Sequence, residues 1–298
     1  MTLLLNEFIE LLKSQKRYSQ YTVRNYKKAV EEWFAFINEN GFESPIQTNR
    51  RLAKRYVAQL SNSLKTTTLR NKISAIRTFY KFLIQKQHTD SDPFSTVRLP
   101  KMKQDLPVFL TENQTPQLLQ APWDEQPDEQ HLLQTLRDAL CLELLYGAGL
   151  RISELCSLKW KNIDFSRNAA TVVGKGNKTR FCPFGENAGN LLRQWKSQFA
   201  LSTDNDAFIL HTPQNKPMYP RFVQRALAKY LSSTNLPSNI TPHKLRHSFA
   251  THLVNEGVDL RALQEMLGHA SLSTTQIYTH LNTKKLVAEH RAAHPRTR

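Results

Sequence analysis

Residues 169–184 read AATVVGKGNKTRFCPF, and this stretch decides the fold class of the second half of the chain. β-Branched and aromatic residues form two short runs on either side of a glycine-broken GKGN, the pattern of two antiparallel strands joined by a turn. Lys175 falls at or beside that turn. Upstream, 132–149 (LLQTLRDALCLELLYGAG) reads as a buried helix ending at Gly147 and Gly149, and downstream helical segments follow almost continuously to the C-terminus. A small sheet set among helices predicts an α+β domain, in a chain that is mainly α.

Toward the N-terminus the sheet signal disappears. Residues 19–41 (SQYTVRNYKKAVEEWFAFINENG) open on Ser/Thr start signals, repeat apolar residues at helical spacing and stop at Gly41. Residues 64–86 repeat the pattern with Leu69, Ile73, Ile76, Phe79, Tyr80 and Phe82. The first 15 residues place Leu3, Leu4, Phe8, Leu11 and Leu12 on one helical face, broken by Asn6, Glu7 and Glu10, which reads as an amphipathic helix and not a signal peptide. Between the halves, 88–108 carries three prolines and no sustained periodicity. The expected organisation is an all-helical bundle over 1–87, a linker over 88–108 and an α+β domain over 109–298. A chain of 298 residues exceeds the size at which one core keeps growing, which agrees with two domains.

Lys and Arg total 41 against 25 acidic residues, a formal charge of +16. The excess is concentrated at the front, where residues 1–87 hold 16 basic and 6 acidic side chains. Arg24, Lys27, Arg51, Lys54, Arg55, Arg70 and Lys72 punctuate the helices there. Such a field attracts polyanions, nucleic acid first among them. Cys141, Cys156 and Cys182 are odd in number and unrelated in spacing, which predicts free thiols in a reducing compartment, the cytoplasm. No apolar run approaches the length of a membrane span.

Residues 241–253 (TPHKLRHSFATHL) carry chemistry. Thr241 with Pro242 is a helix start, hydroxyl at the N-cap and proline at N1. His243 then sits in the first turn with Arg246 three residues on, while Leu245, Phe249 and Leu253 form a separate stripe for the core. A histidine and an arginine beside unsatisfied backbone N–H groups suit a phosphate. His243 and His247 also have the spacing of a zinc helix, but Lys244, Leu245 and Arg246 stand between them and no glutamate follows the first histidine. In 147–155 (GAGLRISEL), Arg151 follows a glycine break and Glu154 is placed to orient its guanidinium. GKGNKTR is not a nucleotide loop, because Asn177 stands where glycine must precede the lysine of a Walker sequence. Residues 267–281 (LGHASLSTTQIYTHL) add His269 and, nine positions on, Tyr278.

Two arginines, a lysine, histidines and a tyrosine, with no carboxylate cluster for magnesium, suit metal-free attack of a phenol on a phosphodiester. Guanidiniums hold the non-bridging oxygens, a lysine can protonate the departing sugar oxygen, and a histidine can take the phenolic proton. No cofactor and no ATP are needed, since the phosphotyrosine ester stores the bond energy.

In order and spacing, GAGLRISEL, GKGNKTR, HKLRHSFATH and LGHASLSTTQIYTHL resemble the signature boxes of the tyrosine recombinases of the lambda-integrase family, and the resemblance covers nearly the whole chain. It implies that Arg151, Arg246 and His243 clasp the scissile phosphate, that Lys175 is the general acid, that His269 supports the transition state, and that Tyr278 is the nucleophile. It further implies a two-domain, C-shaped clamp on double-stranded DNA. Within the family the boxes are similar to those of chromosome-dimer recombinases, which implies a dif-like site of two half-sites, a XerD-like partner in a heterotetramer and an FtsK-like septal translocase as activator. The same boxes leave three alternatives: a type IB topoisomerase, a phage or transposon integrase, and a non-catalytic DNA-binding protein on a decayed scaffold. The tail, 284–298, carries Leu286, Val287, Ala288 and Ala292 and is expected to form a short apolar-faced helix that docks on a neighbouring protomer.

Overall fold

The computed structural model of the chain describes residues 1–14, 18–102, 108–124, 129–174, 179–268, 287–290 and 292–293. It divides into two compact units, Met1–Asp105 and Leu106–Arg298.

Among its described residues the first unit holds four α-helices, α1 (Thr2–Ser14), α2 (Gln20–Glu39), α3 (Arg50–Ser63) and α4 (Thr66–Gln85). Two of them start at side-chain caps: Ser19 Oγ accepts from the Thr22 N–H at α2, and Asn49 Oδ1 accepts from the Leu52 N–H at α3. Gly41 follows α2 at φ +80°, a left-handed turn that glycine adopts without strain. The core is aromatic. Phe8, Trp33 and Phe79 are fully buried, and the Trp33 Nε1–H donates to the Tyr80 hydroxyl at 3.0 Å, so the one polar edge of the indole is satisfied inside. This core continues beyond α4. Phe94 (0% exposed) packs edge-on to Trp33, and the Arg77 guanidinium fastens that stretch by donating to the carbonyls of Phe94 and Val97.

The second unit is built around α6 (Glu129–Gly147), preceded by the short α5 (Gln114–Gln120). Leu136, Leu140, Leu144, Leu145 and Tyr146 on α6 are all fully buried, because neighbours cover the helix on several sides. After α6 come α7 (Ile152–Cys156), a three-stranded antiparallel sheet of β1 (Ile163–Asp164), β2 (Ala169–Val173) and β3 (Thr179–Pro183), then α8 (Glu186–Gln198), α9 (Pro220–Ser233), α10 (Pro242–Asn255) and α11 (Leu260–Leu267). β2 and β3 pair as the residue pattern predicts, Ala169 opposite Pro183 and Val173 opposite Thr179. The sequence pattern did not reveal β1, whose two residues are too few to show alternation. α11 packs on β3 and α10 packs on α6, which brings the ends of three different segments together.

Candidate active site

The site grows from the break after α6. Gly149 has φ +56°, and a Cβ there would lie 2.6 Å from Cδ1 of Phe249 on α10, so both backbone and packing demand glycine. The turn delivers Arg151 to the start of α7. Its backbone N–H donates to Glu154 Oε2 at 2.7 Å and its Nη1 donates to Oε1 at 2.8 Å, which holds the arginine and the carboxylate as a unit.

Glu154 is 6% exposed and serves more than Arg151. Arg180, on β3 and 3% exposed, lays its fork against the same carboxylate, Nη2 donating to Oε2 at 2.6 Å and Nη1 to Oε1. Arg246 on α10 is 5% exposed, with Nη1 3.9 Å from Glu154 Oε2. Among the described residues, three guanidiniums therefore share one carboxylate. Burial alone would push the Glu154 carboxyl up, but the hydrogen bonds from Arg180 and Arg151 outweigh it and hold it below the usual carboxylate value. Arg246 goes the other way. Burial, together with the charges of Arg180 and Arg151, pulls its guanidinium down to about 10, still well above neutral pH.

The C-terminal end of α11 closes the site from one side. The Arg180 Nε donates to the carbonyl of Met266 at 2.9 Å, Arg246 Nη2 and Arg151 Nη2 both donate to that of Leu267, and Arg151 Nη2 reaches that of Gly268 at 3.1 Å. Arg246 Nη1 donates to the Gly149 carbonyl. The last carbonyls of a helix have no partner within it and carry its negative dipole end, so cations are the partners they favour. Gly268 ends the helix at φ +61°, in the left-handed cap conformation.

α10 begins as its sequence requires, with the Thr241 hydroxyl accepting from the Lys244 N–H and Pro242 in the first turn. Leu245, Phe249 and Leu253 face the core, and His243 is exposed in the first turn. The structure thus brings Arg151 and Arg246 to one carboxylate and leaves His243 at the surface of the same helix. Lys175, His269 and Tyr278 lie outside the described residues. Arg180 had no role in the sequence reading. Its signal was present: on a strand, residues 180 and 182 share a face, and Cys182 is buried, so the arginine points inward and needs an acceptor. Ser248 and His252, on the same helix, were also missed. The Leu110 N–H donates to Ser248 Oγ at 2.9 Å, and His252 donates from Nε2 to the Leu110 carbonyl at 2.8 Å, while its Nδ1 accepts from the Tyr146 hydroxyl at 2.8 Å.

In the tail, Leu286 lies outside the described residues. Residues 287–290 are helical, but Ala288 and Ala292 are exposed, whereas His290 (0% exposed) and Ala293 (5%) are buried against the second unit of the same chain. His290 Nε2 donates to the Gly147 carbonyl at 2.8 Å, and its ring lies 6.1 Å from that of Phe249.

Residues 108–285 match the phage integrase family, and residues 5–87 match the phage integrase N-terminal SAM-like domain. The chain is 37% identical to tyrosine recombinase XerC of Bacillus pumilus, over 98% of this chain and 96% of that protein. It is 36% identical to the XerC of Staphylococcus aureus, over 98% and 96%. In fold it is similar to the Tn1549 transposon integrase in complex with transposon right end DNA (TM-score 0.69, 22% identity, 97% of this chain and 99% of that one). It is equally similar to XerH bound to a palindromic difH substrate (TM-score 0.69, 20% identity, 95% and 82%).

Proposed function

Because this chain belongs to the phage integrase family of tyrosine recombinases, enzymes that break and rejoin DNA at specific sites, we propose that it is the XerC-type member that resolves chromosome dimers at a dif-like site during cell division. The observation that carries the chemistry is the sharing of Glu154 by three guanidiniums, which leaves buried positive charge where an anion is to be held.

In this reading Arg151, Arg246 and His243 hold the non-bridging oxygens of the scissile phosphate and stabilise its pentacoordinate transition state. The Tyr278 oxygen attacks phosphorus, forming a 3′-phosphotyrosine ester as the bond to the 5′ oxygen breaks. Lys175 gives that oxygen its proton, and His269 supports the charge that develops. Rejoining is the same sequence in reverse, with a 5′ hydroxyl as nucleophile, so no metal or nucleotide takes part. Residues 1–87 serve as the DNA-binding bundle, 88–108 as the connection and 109–298 as the catalytic domain. The partners are double-stranded DNA, a XerD-like recombinase in a heterotetramer and an FtsK-like translocase. The cytoplasm is the compartment that suits three buried free thiols, and no described helix is long and apolar enough to cross a membrane.

A nicked two-half-site duplex that traps the cleaved strand tests the core of this. The parent should form a covalent complex in EDTA, and Tyr278→Phe should bind equally and form none. Covalent product from that variant, or a requirement for a divalent ion, would overturn the mechanism.

A further inference from the structure

Arg180 is the most deeply buried of the three guanidiniums and the one with no part in the chemistry above. A cation is kept in such a place only where its charge and its planar fork are both matched. Here they are matched on two sides. The fork meets Glu154 through two parallel N–H···O contacts, and Nε meets the Met266 carbonyl at the end of α11. Gly268 leaves room for it, since a Cβ there would stand 2.7 Å from Arg180 Cδ.

Those two anchors are what direct the other two arginines. Glu154 receives Arg180 and Arg151 together, so its carboxylate is gripped from both sides and cannot turn without breaking four hydrogen bonds. The residue after Met266, Leu267, offers the carbonyl on which both Arg151 and Arg246 rest. We propose that Arg180 is a positioning residue for the recombination chemistry: without touching DNA, it fixes Glu154 and the end of α11 so that Arg151 and Arg246 present their donors to the phosphate in one geometry. This rests on the reading of Arg151 and Arg246 as the phosphate clasp. A purely structural ion pair would hold the fold together but would not act through the charge on the phosphate.

That difference can be measured with two altered substrates. A methylphosphonate at the scissile position replaces one charged non-bridging oxygen by a methyl group and removes the charge that the guanidiniums neutralise. A sulfur in place of the bridging 5′ oxygen removes the need for a leaving-group proton instead. Single-turnover cleavage is followed for the parent, Arg180→Lys, Arg180→Met, the double variant Arg180→Met/Glu154→Gln, and Arg151→Ala, with thermal melts to establish folding. Arg180→Lys should bind DNA as the parent does and cleave about 10²-fold more slowly, the scale of a small misplacement of reacting groups. Its deficit should shrink on the methylphosphonate, as that of Arg151→Ala does, and persist on the sulfur substrate.

An equal deficit on all three substrates, recovery on sulfur alone, or failure of every Arg180 variant to fold would overturn the proposal. If Arg151→Ala recovers on the methylphosphonate and the Arg180 variants do not, only the role of Arg180 falls. If Arg151→Ala shows no recovery either, the clasp reading itself falls and takes this one with it.

Discussion

If Arg246 holds the phosphate as proposed, stability and chemistry pull in opposite directions there. Its guanidinium lies at about 10 in the fold against an ordinary value of 12.5, so the folded state disfavours the protonated form. At neutral pH the fold carries that cost, and it is relieved only as pH rises through about 10. Arg246→Gln relieves that cost but takes a donor from the Gly149 carbonyl, so Tm should change little, while covalent complex formation falls by about 10²–10³-fold, the usual loss for a donor to a developing oxyanion. A clear drop in Tm would show the guanidinium to be a net stabiliser. Glu154 has the opposite sign, since its carboxyl is held below 4.5 and its contribution is present above that pH and lost as pH falls through the lowered value. The boxes that hold Arg151, His243 and Arg246 were legible because their spacing is local. Arg180 was not, because its pairing with Glu154 spans 26 positions and depends on how β3 and α7 meet.

Among the elements, α10 does two jobs, and the second sets a pH limit. One turn carries His243 and Arg246; further along, Ser248 and His252 hold the chain at Leu110 against the helix. Burial lowers His252 from the ordinary 6.5, so the neutral ring is the one that fits, donating from Nε2 and accepting at Nδ1. A protonated ring cannot accept from Tyr146. With the folded value below the unfolded one, the contribution of His252 is complete above pH 6.5 and is lost as pH falls through the lowered value. His252→Gln should flatten the fall in Tm between pH 7 and pH 5 and lower Tm at pH 7; an unchanged pH slope would remove His252 as its source. The helices themselves were readable, since α2 and α10 announce their starts and all of α2, α4 and α10 their apolar faces. Phe94 was not, because it stands in a proline-interrupted stretch and its place in the core depends on the distant Trp33 and Arg77.

For the whole molecule, the tail is tied back to the unit that holds the candidate site. Seen within one chain, it is anchored by His290 on the carbonyl of Gly147, two residues before the glycine whose own carbonyl receives Arg246. His290→Ala should lower the Tm of the second unit by loosening this contact, with a loss of about 1–3 kcal/mol for a buried carbonyl left without its donor. Gel-shift titration on a full two-half-site duplex with a XerD-like recombinase added should then show altered cooperativity while single half-site binding is kept. Unchanged stability and cooperativity would make the contact incidental.

Cys141, Cys156 and Cys182 all lie in the second unit, and the first unit has no cysteine. All three are buried in the folded protein, where burial raises their thiols, Cys156 and Cys182 to about 11 and Cys141 well above 9.0. They stay unreactive while the second unit is closed and become ordinary thiols when it opens. The protein therefore carries an intrinsic reporter for one half of itself: in a denaturation followed by thiol labelling, colour develops only as the second unit unfolds, whatever the first unit has done, so the two transitions can be separated without introducing a cysteine.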